Sequence, residues 1–98
     1  MKNKKKNNYY IVGIGASAGG LEALEKLFDS MPEQEELAFI IILHLSPDYK
    51  SLMGELLEKH TRMAIKQAED GMTVEPRCIY LIPRKKNMYI YQSKLFLT

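Results

Sequence analysis

Tyr9-Tyr10-Ile11-Val12-Gly13-Ile14 is an apolar run rich in β-branched and aromatic residues, and it predicts a strand covered on both faces. A small-residue turn, Gly15-Ala16-Ser17-Ala18-Gly19-Gly20, follows it. Leu21, Leu24, Leu27 and Phe28 then recur at helical spacing, with Glu22, Glu25, Lys26 and Asp29 on the other side. That spacing predicts an amphipathic helix, which Pro32 closes. Ala38-Phe39-Ile40-Ile41-Ile42-Leu43 is a second fully apolar run and ends at His44, so it reads as a second buried strand. Strand, turn, helix and strand make a right-handed βαβ unit with parallel strands whose C-terminal ends emerge on one edge of a sheet. Ser17 and His44 therefore share an edge.

Leu52, Met53, Leu56, Leu57 and His60 mark a second helix, with Ser46-Pro47-Asp48 supplying its cap and first turn. His60 falls on the apolar face of that helix, as core or C-terminal decoration. Ile65-Lys66-Gln67-Ala68 leads to a turn at Glu69-Asp70-Gly71, and Cys78-Ile79-Tyr80-Leu81-Ile82 is a further apolar run ended by Pro83. Met88-Tyr89-Ile90-Tyr91, a Gln92-Ser93 turn and Leu95-Phe96-Leu97 alternate as a hairpin does. No repeat or low-complexity block interrupts the chain after its tail.

The tail is residues 1–8, read as a disordered basic segment ahead of one folded unit over residues 9–98. Fourteen Lys and Arg against twelve Asp and Glu give a formal charge of +2, and the tail holds Lys2, Lys4, Lys5 and Lys6. The body without it is slightly acidic, which argues against nucleic-acid binding, since tracking phosphates needs a basic folded surface. At 98 residues, 46% hydrophobic, the chain allows one domain at most. Its single cysteine, Cys78, builds no disulfide framework and no Cys/His spacing suggests zinc, so a reducing cytoplasm is expected. Lysines followed by an apolar stretch imitate a secretory signal, but six residues fall short of the ~7–15 that an h-region needs. No apolar run approaches the ~20 residues that span a bilayer.

Three readings compete for the glycine turn. As Gly13-x-Gly15-x-x-Ala18 it matches the dinucleotide fingerprint, in which helix amides hold a pyrophosphate. The ribose-binding acid expected at the end of the second strand is missing, because that strand ends in His44 and Asp48 lies in the next turn. As Gly15-x-Ser17-x-Gly19 it is a nucleophile elbow. A serine hydroxyl needs a base to take its proton, and a histidine on the adjacent strand end supplies one. The amides of Ala18 and Gly19 would then hold the oxyanion. In the third reading Ser17 is a helix N-cap and the glycines only permit close packing.

Four ordered blocks carry a family resemblance: Ile14-Gly15-Ala16-Ser17-Ala18-Gly19-Gly20-Leu21-Glu22-Ala23-Leu24, Ile42-Leu43-His44-Leu45-Ser46-Pro47, Ala68-Glu69-Asp70-Gly71 and Ile79-Tyr80-Leu81-Ile82-Pro83. From about Tyr10 to the C-terminus the chain resembles the catalytic domain of the bacterial chemotaxis protein-glutamate methylesterases (CheB type). The resemblance implies a doubly wound, mostly parallel Rossmann-like α/β fold. It also implies hydrolysis of glutamate methyl esters, often with glutamine deamidation, on the cytoplasmic helices of methylated chemoreceptors, through a Ser-His-Asp triad and without cofactor or metal. Ser17 matches the nucleophile and His44 the general base, with Ala18 and Gly19 at the oxyanion site. Ala18 stands where the family often has threonine.

The family's aspartate has no match here. Asp48 reads as a helix cap and Asp70 as a turn residue. The chain therefore reads as the N-terminal portion of a catalytic domain, inactive alone, in a receiver-less arrangement like that of esterases fused ahead of a methyltransferase. An incomplete sheet should expose an edge or pair with another copy. The alternatives are a non-catalytic nucleotide- or phosphate-binding module and a degenerate scaffold.

Overall fold

The computed structural model describes residues 9–17, 20–31, 36–44, 53–82 and 87–98. Four parallel strands, β1 (Tyr10–Ser17), β2 (Leu37–His44), β3 (Ala64–Gln67) and β4 (Cys78–Ile82), form one sheet in the order β1-β2-β4-β3. Helix α1 (Leu21–Ser30) connects β1 to β2, and a short helix, α2 (53–57), runs into a 3-10 turn at Glu58–His60 before β3. A two-stranded antiparallel sheet, β5 (Met88–Tyr91) and β6 (Lys94–Leu97), ends the chain. The fold is α/β with a mostly parallel, Rossmann-like sheet and a C-terminal hairpin. The basic tail, Pro32, the Ser46-Pro47-Asp48 cap, Leu52 and Pro83 lie outside the described residues.

The sheet's apolar runs are continuous because both faces are covered. On one face Phe39, Ile41, Ile79 and Leu81 pack with Leu24 and Phe28 of α1 and with Met53 and Leu57 of α2. Phe28 meets Phe39 edge-on, with ring centroids 5.2 Å apart at 86°, an arrangement that adds about 0.5–1.5 kcal/mol beyond area burial. On the other face Ala38, Ile40, Tyr80 and Ile82 pack with Val74 and Leu95, and Met88, Ile90 and Leu97 of the hairpin close over them. Hairpin and connector therefore cover the second face, where a doubly wound sheet more often carries helices.

A β6–connector ladder fixes the hairpin in place. Gly71 donates its N–H to Leu95 O at 2.7 Å, Leu95 donates to Met72 O at 2.8 Å, and Val74 donates to Ser93 O at 2.7 Å. Gly71 has φ +85, the left-handed region that a side chain disfavours, which accounts for a glycine at the end of the Glu69-Asp70-Gly71 turn. The two-residue loop Gln92-Ser93 has φ +52 and +66, the mirror-image turn whose twist matches the flanking strands.

Four expectations are corrected. β1 does not stop at Ile14: it continues through Ser17, because β2 offers it a partner at every position from Tyr10↔Leu37 to Ser17↔His44. Its two faces are covered only in part: Val12 and Ile14 pack against one apolar cluster and Ile11 against the other, while Tyr10, Gly13 and Gly15 are exposed. Leu27 is 40% exposed, since Leu24 and Phe28 already define the buried stripe of α1. His60 is not on a buried apolar face: it ends the 3-10 turn that continues α2, as C-terminal decoration, partly exposed, and bonds to α1 across a gap of 31 residues, which local periodicity does not reveal.

Candidate functional site

The strands of the parallel sheet start at one edge and finish at the other. At the finishing edge Ser17 closes β1, His44 closes β2, and the two are Cα partners in the ladder. Neighbouring strands lie about 4.8 Å apart, so the topology alone brings together a serine and a histidine that are 27 positions apart in the chain. Ile42 pairs with Ile82 two positions below, so the end of β4 reaches the same edge. The sequence expectation that Ser17 and His44 share an edge holds at the level of backbone register.

The competing readings of the glycine segment fare differently. Gly13 and Gly15 are strand residues opposite Ile40 and Ile42, not members of a loop. The dinucleotide fingerprint needs its first glycine in the turn after the strand, so its geometry is not met. Gly20, not Ser17, is the N-cap of α1. Ser17 thus ends a strand immediately before a small-residue link to a helix, the location of a nucleophile elbow. Ala18 and Gly19 lie outside the described residues.

The aspartates have structural partners or lie elsewhere. Asp70 Oδ1 accepts the Leu97 N–H at 2.8 Å, tying the turn after β3 to the end of the hairpin. Asp29 Oδ1 is 2.8 Å from His60 Nδ1, and Glu25 Oε2 is 3.5 Å from His60 Nε2. That cluster stands at the C-terminal part of α1, by the edge where the strands start. Asp29 and His60 themselves line a pocket of about 490 Å³, together with Phe28, Met31, Arg62 and Met63. Asp48 lies outside the described residues. His60 and its carboxylates are therefore separate from the Ser17–His44 edge.

Two tyrosine hydroxyls brace the connector under the second face. Tyr9 donates to Val74 O at 2.5 Å, while Tyr80 accepts from the Glu75 N–H at 2.8 Å and donates to Thr73 O at 3.3 Å. Burial of Tyr80 pushes its phenol up to about 12; the Glu75 N–H opposes the shift and neighbouring Cys78 adds to it. Cys78 is a buried free thiol. Among the described residues no helix is long and apolar enough to cross a membrane.

The CheB methylesterase family model matches residues 12–97. A protein-glutamate methylesterase/protein-glutamine glutaminase of Methanosarcina acetivorans is 32% identical over 85 residues, covering 87% of this chain and 24% of that protein. Its counterpart from Pseudomonas fluorescens is 34% identical over 86 residues, covering 88% and 23%. The crystal structure of the Thermotoga maritima CheB methylesterase catalytic domain superposes with a TM-score of 0.74 at 25% identity, covering 91% of this chain and 48% of that one. The chain spans about a quarter of the length of the curated relatives it matches.

Proposed function

The chain belongs to the CheB methylesterase family, and from that premise we propose that it carries the nucleophile and base of a hydrolase acting on glutamate methyl esters of chemoreceptor helices in the cytoplasm. Glutamine side chains of the same helices are a second substrate, because an amide presents the same carbonyl to the same nucleophile. The observation that supports this reading most is the pairing of Ser17 with His44 at the carboxyl edge of the sheet.

Ser17 is the nucleophile: its Oγ adds to the ester carbonyl carbon while His44 takes the hydroxyl proton. Backbone amides at Ala18 and Gly19 hold the oxyanion of the tetrahedral intermediate. As the intermediate collapses, the methoxy group leaves and His44 returns the proton to it, releasing methanol; an amide substrate releases ammonia. Water, deprotonated by His44, then attacks the acyl-enzyme and frees the glutamate carboxylate with Ser17 restored. No aspartate of this chain is assigned as the third member of the triad.

The test is methyl-ester hydrolysis on a methylated chemoreceptor fragment, measured for this chain and for a longer polypeptide that carries it. The longer protein is expected to turn over, and Ser17→Ala or His44→Ala to reduce kcat by roughly 10⁴-fold or more. Full activity in Ser17→Ala would sink the nucleophile assignment. Robust turnover by the 98 residues alone would refute the need for a further carboxylate.

A further inference from the structure

The hairpin has a closed end and an open end, and hydrogen bonds to the rest of the chain orient both. At the closed end Val74 donates to Ser93 O, in the Gln92-Ser93 loop. At the open end β5 and β6 pair at Met88↔Leu97, and the ladder runs one step further, with the Thr98 N–H 3.0 Å from Asn87 O and the Asn87 N–H 3.2 Å from Thr98 O. Asp70 Oδ1 holds this end through the Leu97 N–H at 2.8 Å. Gln67, Leu81, Ile41 and Ile14 are level with one another across the four parallel strands. Asp70, His44 and Ser17 each come three residues after a member of that row, so the open end stands at the carboxyl edge. The face agrees as well, because alternate residues of a strand share one. The position of Ser17 has the parity of Ile11, and that of His44 the parity of Ala38 and Ile40, which all belong to the cluster under the hairpin.

Resting on the reading of Ser17 and His44 as nucleophile and base, we propose that the open end of the hairpin is a wall of the substrate site, and that Asp70 is the positioning residue that holds it there for the chemoreceptor helix. Ala38 and Ile40 of β2 and Tyr80 and Ile82 of β4 lie under the hairpin, so its open end stands over the strand that finishes in His44. A methyl ester carried on a helix brings a rod about 10–12 Å across to this edge, whereas a small ester needs only the nucleophile, the base and the oxyanion donors. The wall therefore matters to the large substrate and not to the small one. Asp70 acts on one end of the hairpin alone. The bonds from Gly71 to Leu95, from Leu95 to Met72 and from Val74 to Ser93 seat the remainder without it. Loss of the carboxylate frees the end at Leu97 and leaves the fold in place.

Two substrates separate the outcomes, a methylated chemoreceptor fragment and free glutamate γ-methyl ester, each given to the longer polypeptide that carries this chain. Asp70→Ala is expected to raise KM for the fragment about tenfold with kcat within about twofold, and to leave kcat/KM for the small ester unchanged. Asp70→Asn keeps an acceptor oxygen for the Leu97 N–H and is expected to bring KM for the fragment most of the way back. Asp70→Glu, whose longer arm displaces the carboxylate, is expected to raise KM as the alanine variant does, which covers the case of an unfolded Asp70→Ala. An unchanged KM for the fragment in whichever of the alanine and glutamate variants is folded would overturn the proposal. Equal losses on the two substrates would also overturn it, since a general loosening of the fold gives that result. A parent protein that turns over neither substrate defeats the esterase reading itself, and this proposal with it.

Discussion

Tyr80 shows how one buried polar atom couples the core to pH. Its ring is fully buried, and its hydroxyl satisfies both the Glu75 N–H and the Thr73 carbonyl. Because burial raises the folded-state pKa from 10 to about 12, the native state favours the neutral phenol more than the unfolded chain does. That stabilisation is complete below pH 10 and is lost as pH rises from 10 through 12. In a spectrophotometric titration of the six tyrosines, one is expected to ionise last, together with alkaline unfolding. Tyr80→Phe should abolish that late step and, by leaving the Glu75 N–H without its acceptor, cost about 1–3 kcal/mol at neutral pH by denaturant titration. The pairing of His60 with Glu25 and Asp29 is a weak brace, since the carboxylates are partly exposed and solvent screens them. His60→Ala is expected to change stability by less than about 1 kcal/mol in the same measurement.

Among the elements, the hairpin is closed by a turn whose shape and residues disagree. Both loop residues are left-handed, yet neither is glycine. Gln92→Asn keeps the turn and relieves part of the strain, so a gain of about 0.5–1 kcal/mol in thermal or denaturant unfolding is expected. The hairpin itself was legible from the alternation of Met88 to Tyr91 and Leu95 to Leu97, and so were α1, β2 and β4, whose patterns are local and strong. β3 was not, because Ala64-Ile65-Lys66-Gln67 has no distinctive period and is a strand only because β4 pairs with it. The end of β1 is hidden from the sequence for a related reason: Gly15, Ala16 and Ser17 have weak strand preference and are held extended by the β2 ladder. At the candidate site, the shared edge of Ser17 and His44 followed from βαβ topology alone. The contact of His60 with α1 did not, since no local rule joins residues on two separate helical segments.

As a whole, the molecule is three thin layers, helices, sheet and hairpin, and the sheet belongs to both apolar clusters. Damage to either cluster should therefore unfold everything in one transition. Leu81 is completely buried between β4 and α2, so Leu81→Ala is expected to cost about 2–5 kcal/mol. In a chain of this size that lowers Tm by on the order of 10–30 °C, and circular dichroism and tyrosine fluorescence should report the same midpoint. The constant offset of 27 positions along the β1–β2 ladder also sets the order of assembly. Its first pairing must close a loop of that length before any contact repays the lost chain entropy, although α1 shortens the flexible part by folding within it. The hairpin, closed by two residues, forms within about 1–10 μs. During refolding it therefore waits with Met88, Ile90, Leu95 and Leu97 uncovered until β2 and β4 meet beneath it, and that interval is when aggregation competes with folding.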